Sequence, residues 1–213
     1  MTRVWGHAVP DTPTDKGWRA CYRATSTKCL MWDLSYLMVV EVMGNKGAVF
    51  ENMNRMTDRR IGSVFSDGPG ESSAVVFRPG KFPAGVVGEV SYMWRPEVEG
   101  AGEGLLWVWV HPAFYQEFVE MMKDVLNLET EEDCGEPDLK KVKLDETQSP
   151  EKNIVLSKLE PKLPPPQVLT CPGLRVSLLG NNLNRLRLVG PLSSAVLRQA
   201  VPGACWCYCW HSY

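Results

Sequence analysis

The sequence predicts an α+β domain, a mixed or antiparallel sheet with helices packed on it. Three observations carry the prediction. A strand, a glycine and a helix succeed one another across residues 37–56, and the same plan recurs across residues 186–200. Between them lie three short apolar or alternating runs, residues 74–77, 86–94 and 105–110. The last of these leads into a one-sided helical pattern, so strands and helices share one stretch of chain.

Residues 1–17 hold Pro10, Pro13 and Gly17 among polar side chains and read as an extended lead-in. Trp5-Gly6, so soon after Met1, suggests a start inside a longer domain. Residues 37–43 are apolar except Glu41 and rich in β-branched side chains, which predicts a buried strand. Gly44-Asn45 has the turn chemistry to end it. Val49, Phe50, Met53 and Met56 then fall on one helix face. In the strand series Gly88 is a candidate bulge. Pro79-Gly80, Pro83 and the glycines from Gly100 to Gly104 occupy the connections. His111-Pro112 ends the third strand, and Pro112 is suited to the first turn of the next helix. That helix is marked by Phe114, Phe118, Met121, Met122 and Val125, with Glu117, Glu120, Lys123 and Asp124 on its outer side.

Residues 129–167 change character. Glu, Asp, Lys and Pro dominate, and Pro164-Pro165-Pro166 closes the run. Such a segment is too polar to repay the entropy of ordering and reads as a charged linker. It is expected to interrupt one domain, with residues 18–128 as the first part and 168–201 as the second strand-Gly-helix unit, because that unit still needs a sheet to join. The likeness of Val40-Glu-Val-Met-Gly44 to Leu186-Arg-Leu-Val-Gly190 suggests two related half-units. Residues 202–213 form an atypical Cys/Trp tail.

The chain has 213 residues and a net charge of −2, so as a whole it is not a basic coat for nucleic acid. The charge is uneven, however. Residues 1–62 hold 9 Lys/Arg against 6 Asp/Glu, and residues 168–213 hold 4 against 0, whereas both intervening stretches are acidic. Nucleic-acid contact is therefore allowed at the two ends. Seven cysteines with no apolar leader, and no apolar run long enough to cross a bilayer, predict a reducing compartment and no membrane partner.

The richest candidate site is basic and aromatic: Lys16, Trp18, Arg19, Tyr22, Arg23 and Lys28. Lys and Arg pair with phosphate, and Trp and Tyr offer faces for unpaired bases. On spacing alone, a surface segment whose aromatics pack on the sheet is the plainer account. Arg185 and Arg187 alternate with Leu186 and Leu188 and so point off one strand face. They would meet phosphate or form the wet side of a sheet, the second being plainer. Lys140-Lys141-Val142-Lys143 resembles half an import signal but reads as a linker charge run among acidic neighbours. His111 is expected to be structural. The tail's Cys205, Cys207, Cys209 and His211 are zinc-ligand types, yet their every-second spacing lacks the C-x-x-C turn of a structural site, so no metal is expected. No phosphate loop, dinucleotide glycine pattern, H-E-x-x-H motif or catalytic triad is present in the sequence. No catalytic residue and no cofactor are expected.

Several segments in one order carry a family resemblance: Arg19-Ala-Cys-Tyr-Arg-Ala24, Lys28-Cys-Leu30 and Asp33-Leu-Ser-Tyr36, then Val75-Val-Phe-Arg78 and Lys81-Phe-Pro83. Leu106-Trp-Val-Trp-Val-His-Pro112 and Asn184-Arg-Leu-Arg-Leu-Val-Gly-Pro-Leu-Ser193 follow. This order, from about residue 4 to 200, resembles the large protein subunit of eukaryotic ribonuclease P and ribonuclease MRP. The resemblance implies a non-catalytic scaffold in RNA-protein particles that mature the 5′ end of precursor tRNA and process ribosomal RNA. It implies ribonuclease P RNA, MRP RNA and other protein subunits as partners, and the nucleus and nucleolus as location. Members of that family are longer, with a basic N-terminal segment and a C-terminal half that do not match this chain, which therefore reads as a shortened form and an incomplete domain. The strand-Gly-helix units also distantly resemble the folate-binding aminomethyltransferase fold. That leaves a folate-binding one-carbon transferase as the alternative, and a non-functional truncated product as another.

Overall fold

Alternation along Glu103–Val110 sorts the two sides of the central sheet. Leu106, Val108 and Val110 are wholly buried, while Leu105, Trp107 and Trp109 between them are half-buried on the opposite side. The computed structural model describes residues 2–9, 11–12, 15–58, 64–66, 70–95, 103–130 and 166–201. Its strands are β1 (Thr2–Val4), β2 (His7–Val9), β3 (Leu30–Asp33), β4 (Met38–Asn45), β5 (Ser72–Phe77) and β6 (Val86–Trp94), then β7 (Glu103–Val110), β8 (Glu129–Thr130), β9 (Gln167–Cys171), β10 (Leu174–Gly180) and β11 (Leu186–Val189). Its helices are α1 (Asp15–Thr27), α2 (Lys46–Asn54), α3 (Tyr115–Leu126) and α4 (Ser193–Ala200).

Seven strands form one sheet in the order β5-β6-β7-β4-β10-β9-β8, and every neighbouring pair is antiparallel. The architecture is α+β, as the sequence predicts. Val40 and Val42 sit opposite Val108 and Leu106 in the ladder, so the buried sides of β4 and β7 coincide. Val90, Tyr92 and Trp94 of β6, Leu174 and Val176 of β10, and Leu169 of β9 extend this apolar side. It is closed by Val49 and Met53 of α2 and by Phe118, Met121, Met122 and Val125 of α3. Area removed from water on this scale is the main source of stability. The tyrosine and tryptophan in the layer keep their polar ends satisfied. Tyr92 Oη donates to the Val64 carbonyl, and Trp94 Nε1 donates to Phe65 O at 3.2 Å.

Local chemistry explains where elements end. Asn45 Oδ1 accepts from Gly47 N at 3.0 Å and caps α2. The predicted α2 face reaches Met56, but the helix stops at Asn54. Arg55, Met56 and Thr57 turn tightly on the carbonyls three residues back, and Phe77 N takes the Met56 carbonyl at 2.7 Å. Met56 is still buried, by the turn rather than by the helix. Pro112 does not open α3. It lies in a turn that Phe114 N closes on His111 O, and the helix begins at Tyr115. The register of β5 on β6 slips by one residue beside Gly88, where the sequence places a bulge. A Cβ there would meet the Phe114 ring at 2.5 Å.

Three further features were not read from the sequence. Residues 2–9 form a hairpin, β1 on β2, inside the expected extended lead-in, and α1 begins at Asp15. Pro172-Gly173 turns β9 into β10, with Gly173 at φ 81°. Glu129–Thr130 of the expected linker pairs with β9, so the chain leaves for residues 131–165 and returns on neighbouring strands. The second strand-Gly-helix unit finds its strand partner in β3. Both edges of β4 are taken by β7 and β10, and β11 instead forms a separate two-stranded ladder with β3. Among the described residues, no helix is long and apolar enough to cross a membrane.

Candidate nucleic-acid interface

Helix α1 turns an unusual side outward. Residues four apart on a helix are neighbours on its surface, so Trp18 stands beside Tyr22, and Arg19 beside Arg23. Trp18 is 72% exposed and Tyr22 71% exposed. Lys16, Arg19, Arg23 and Lys28 are exposed too, and none is engaged in an ion pair among the described residues. Large aromatic rings this open to water are uncommon in a monomeric domain.

The helix is held from its small side. Gly17, Ala24 and Thr25 are its partly covered residues. The chain at Gly190, between β11 and α4, passes so close that a Cβ would lie 2.6 Å from Lys28 O and 3.0 Å from Ala24 O. Leu192 N donates to Lys28 O at 2.9 Å. The last turn is tied off by Thr25, Ser26 and Thr27, whose hydroxyls donate to the Tyr22 and Arg23 carbonyls. Backbone contacts at one end and small residues along one side thus leave the long side chains free.

The structure brings Lys16, Trp18, Arg19, Tyr22 and Arg23 onto one helix and sets Lys28 just beyond its end. Arg185 and Arg187 belong to a different arrangement. The Arg185 side chain is 12% exposed, 2.5 Å from Glu71 Oε1, and its guanidinium lies 4.4 Å over the Trp109 ring. Arg187 reaches the same Glu71 oxygen at 3.4 Å and is 48% exposed. Their shared side, expected from the alternation, faces Glu71. Trp32, absent from the sequence-derived candidates, is exposed on β3 opposite Arg187 in the ladder. An aromatic in so short a run beside Met31 was the available signal.

At the end of this ladder Asp33 Oδ1 accepts from Ser35 N at 2.9 Å. The Ser35 hydroxyl, then the Ser35 backbone N–H, holds the Asp33 carboxyl below its ordinary range. His111 accepts from Ala113 N through Nδ1 at 3.2 Å and is flanked by Trp5, Tyr36 and Phe114, which is a structural setting. Among the described residues, no three His, Cys, Asp or Glu side chains converge as metal ligands. An open cleft of about 350 Å³ lies along α2, lined by Phe50, Glu51, Asn52, Asn54 and Arg55. The lysines at 140, 141 and 143 and the Cys/Trp tail lie outside the described residues.

These features define a chain that presents an exposed cationic and aromatic helix on an antiparallel α+β frame. Residues 1–45, which contain all of α1, match the family model described as ribonucleases P/MRP protein subunit POP1, N-terminal. The human ribonucleases P/MRP protein subunit POP1 is 30% identical over 237 aligned residues, covering 96% of this chain and 23% of the relative. The Caenorhabditis elegans ribonucleases P/MRP protein subunit popl-1 is 24% identical over 136 residues, covering 64% of this chain and 17% of the relative. The chain belongs to the POP1 family of ribonuclease P/MRP protein subunits, and it spans less than a quarter of the length of these two relatives.

Proposed function

We propose that this chain is an RNA-contacting scaffold segment of ribonuclease P and ribonuclease MRP. It serves 5′ maturation of precursor tRNA and ribosomal RNA processing, and supplies no catalytic group of its own. Its partners are ribonuclease P RNA, MRP RNA and the other protein subunits of those particles, in the nucleus and nucleolus. The observation that carries the reading is the outward side of α1, where Arg19, Arg23, Trp18 and Tyr22 stand exposed within the segment matched by the family model. Cations recruit the RNA backbone and ring faces hold bases.

The test is recovery of the tagged chain from nuclear extract, probed for both RNAs over a salt series. Both RNAs are expected to come down and to be released steeply by salt. The Arg19→Ala/Arg23→Ala double variant should recover much less of each. A folded chain that recovers neither RNA overturns the proposal.

A further inference from the structure

The same helix carries more detail than a general affinity for RNA. Its outward side repeats a pair: an aromatic followed at once by an arginine, Trp18-Arg19 and then Tyr22-Arg23. Four residues advance about 6 Å along a helix axis, slightly more than one turn. The two rings therefore form one stripe and the two guanidinium groups a second, about 100° further round. Lys16, three residues before Arg19, extends the cationic stripe by one position.

We infer that α1 binds an unpaired RNA strand lying along it, one nucleotide to each aromatic-arginine pair. The inference rests on the RNA-contacting reading above and specifies its ligand. One turn of helix is close to the distance between successive phosphates of an extended strand, so the two stripes keep step with backbone and base together. The rings at 72% and 71% exposure offer whole faces. Paired bases in a duplex are stacked on one another and do not present theirs. A duplex would meet the arginines and leave the rings idle. A single strand uses both, and ring stacking accepts any base. A peptide partner would bring side chains of its own to the rings but no regular row of anions for Lys16, Arg19 and Arg23.

The experiment is fluorescence anisotropy on the full chain with two labelled probes, an unstructured oligouridine and a blunt RNA duplex of equal length. The substituted side chains are exposed and without ion-pair partners among the described residues, and a melt of each variant verifies its fold. The single strand is expected to bind about tenfold tighter than the duplex, with Trp18→Ala and Tyr22→Ala each costing about tenfold on the single strand and little on the duplex. Arg19→Gln/Arg23→Gln should lower the salt slope on the single strand by roughly 1.4, two contacts' worth. Equal binding of both probes, with an arginine effect and no ring effect, overturns the single-strand inference while the RNA-contacting reading stands. Binding of neither probe by the folded chain overturns both.

Discussion

The Arg185 guanidinium lies 4.4 Å over the ring of Trp109, and this stack joins the β3–β11 ladder to the outer side of the seven-stranded sheet. Glu71 sits on the same cation at 2.5 Å and takes Arg187 as well. Arg185 Nη1 is buried with no hydrogen-bond partner among the described residues. The ring face and the carboxylate together are what compensate the desolvated cation.

Arg185→Ala should therefore lower the unfolding free energy by about 2 kcal/mol, since a desolvated cation–ring contact and the better-buried half of a charge pair are lost together. Arg187→Ala removes only a half-exposed pair and should cost at most about 0.5 kcal/mol. Urea unfolding of the two variants checks this. Equal losses would mean that the charge on Glu71, not the stack on Trp109, holds the ladder.

Gly190 has φ 129°, and a Cβ there would press on the Lys28 and Ala24 carbonyl oxygens. Neither atom is the end of a flexible side chain, so Gly190→Ala must move α4 away from the end of α1, at a cost of about 1–3 kcal/mol. Amide exchange should quicken in β11, α4 and the last turn of α1, with β4 and β7 unchanged. A uniform increase across all strands would show that the ladder opens only with the whole domain.

The main sheet was legible because its strands alternate. Leu106, Val108 and Val110 announce a buried side from sequence alone, and so do the α3 positions. Helix α1 shows in the sequence as a binding stretch but not as a helix, because its covered residues, Gly17, Ala24 and Thr25, are too small to mark a core-facing side. The partner of β11 was hidden for another reason. Four-residue strands separated by most of the chain carry no local record of which edge they take, and β11 takes β3 while β10 occupies the free edge of β4. Arg185 shows the same limit at one residue. Alternation gave its side of the strand, but its burial depends on Glu71 and Trp109, distant positions that no periodicity links to it.

Asp33 gives a pH signature. Its carboxylate accepts from the Ser35 backbone at 2.9 Å, and the Ser35 hydroxyl beside it is positioned by the Arg185 backbone, accepting from Arg185 N at 3.0 Å. The carboxyl is thereby held below its ordinary 3.8 in the folded chain. A depressed folded value means that the contribution is fully present above 3.8 and disappears as pH falls through the folded value. The stability advantage of the wild type over Asp33→Asn should be constant from neutral pH down to that point and shrink below it. The effect is small because the group is open to solvent. A gap that widens with acid would show that Asp33 is not held in its charged form.

Helix α4 has no buried residue, and Val196 and Leu197 on it are exposed. Exposed apolar side chains contribute little to folding, and glutamine is a good helix former. Val196→Gln/Leu197→Gln should change the unfolding free energy by at most about 0.5 kcal/mol. It should also raise the concentration at which light scattering still reports single chains, because exposed apolar area drives association. A loss well above that figure would mean that α4 is packed through these two residues. The helix would then be held by side-chain burial as well as by its backbone contacts at Gly190 and Leu192, and Gly190→Ala would displace it less than its contact distances imply.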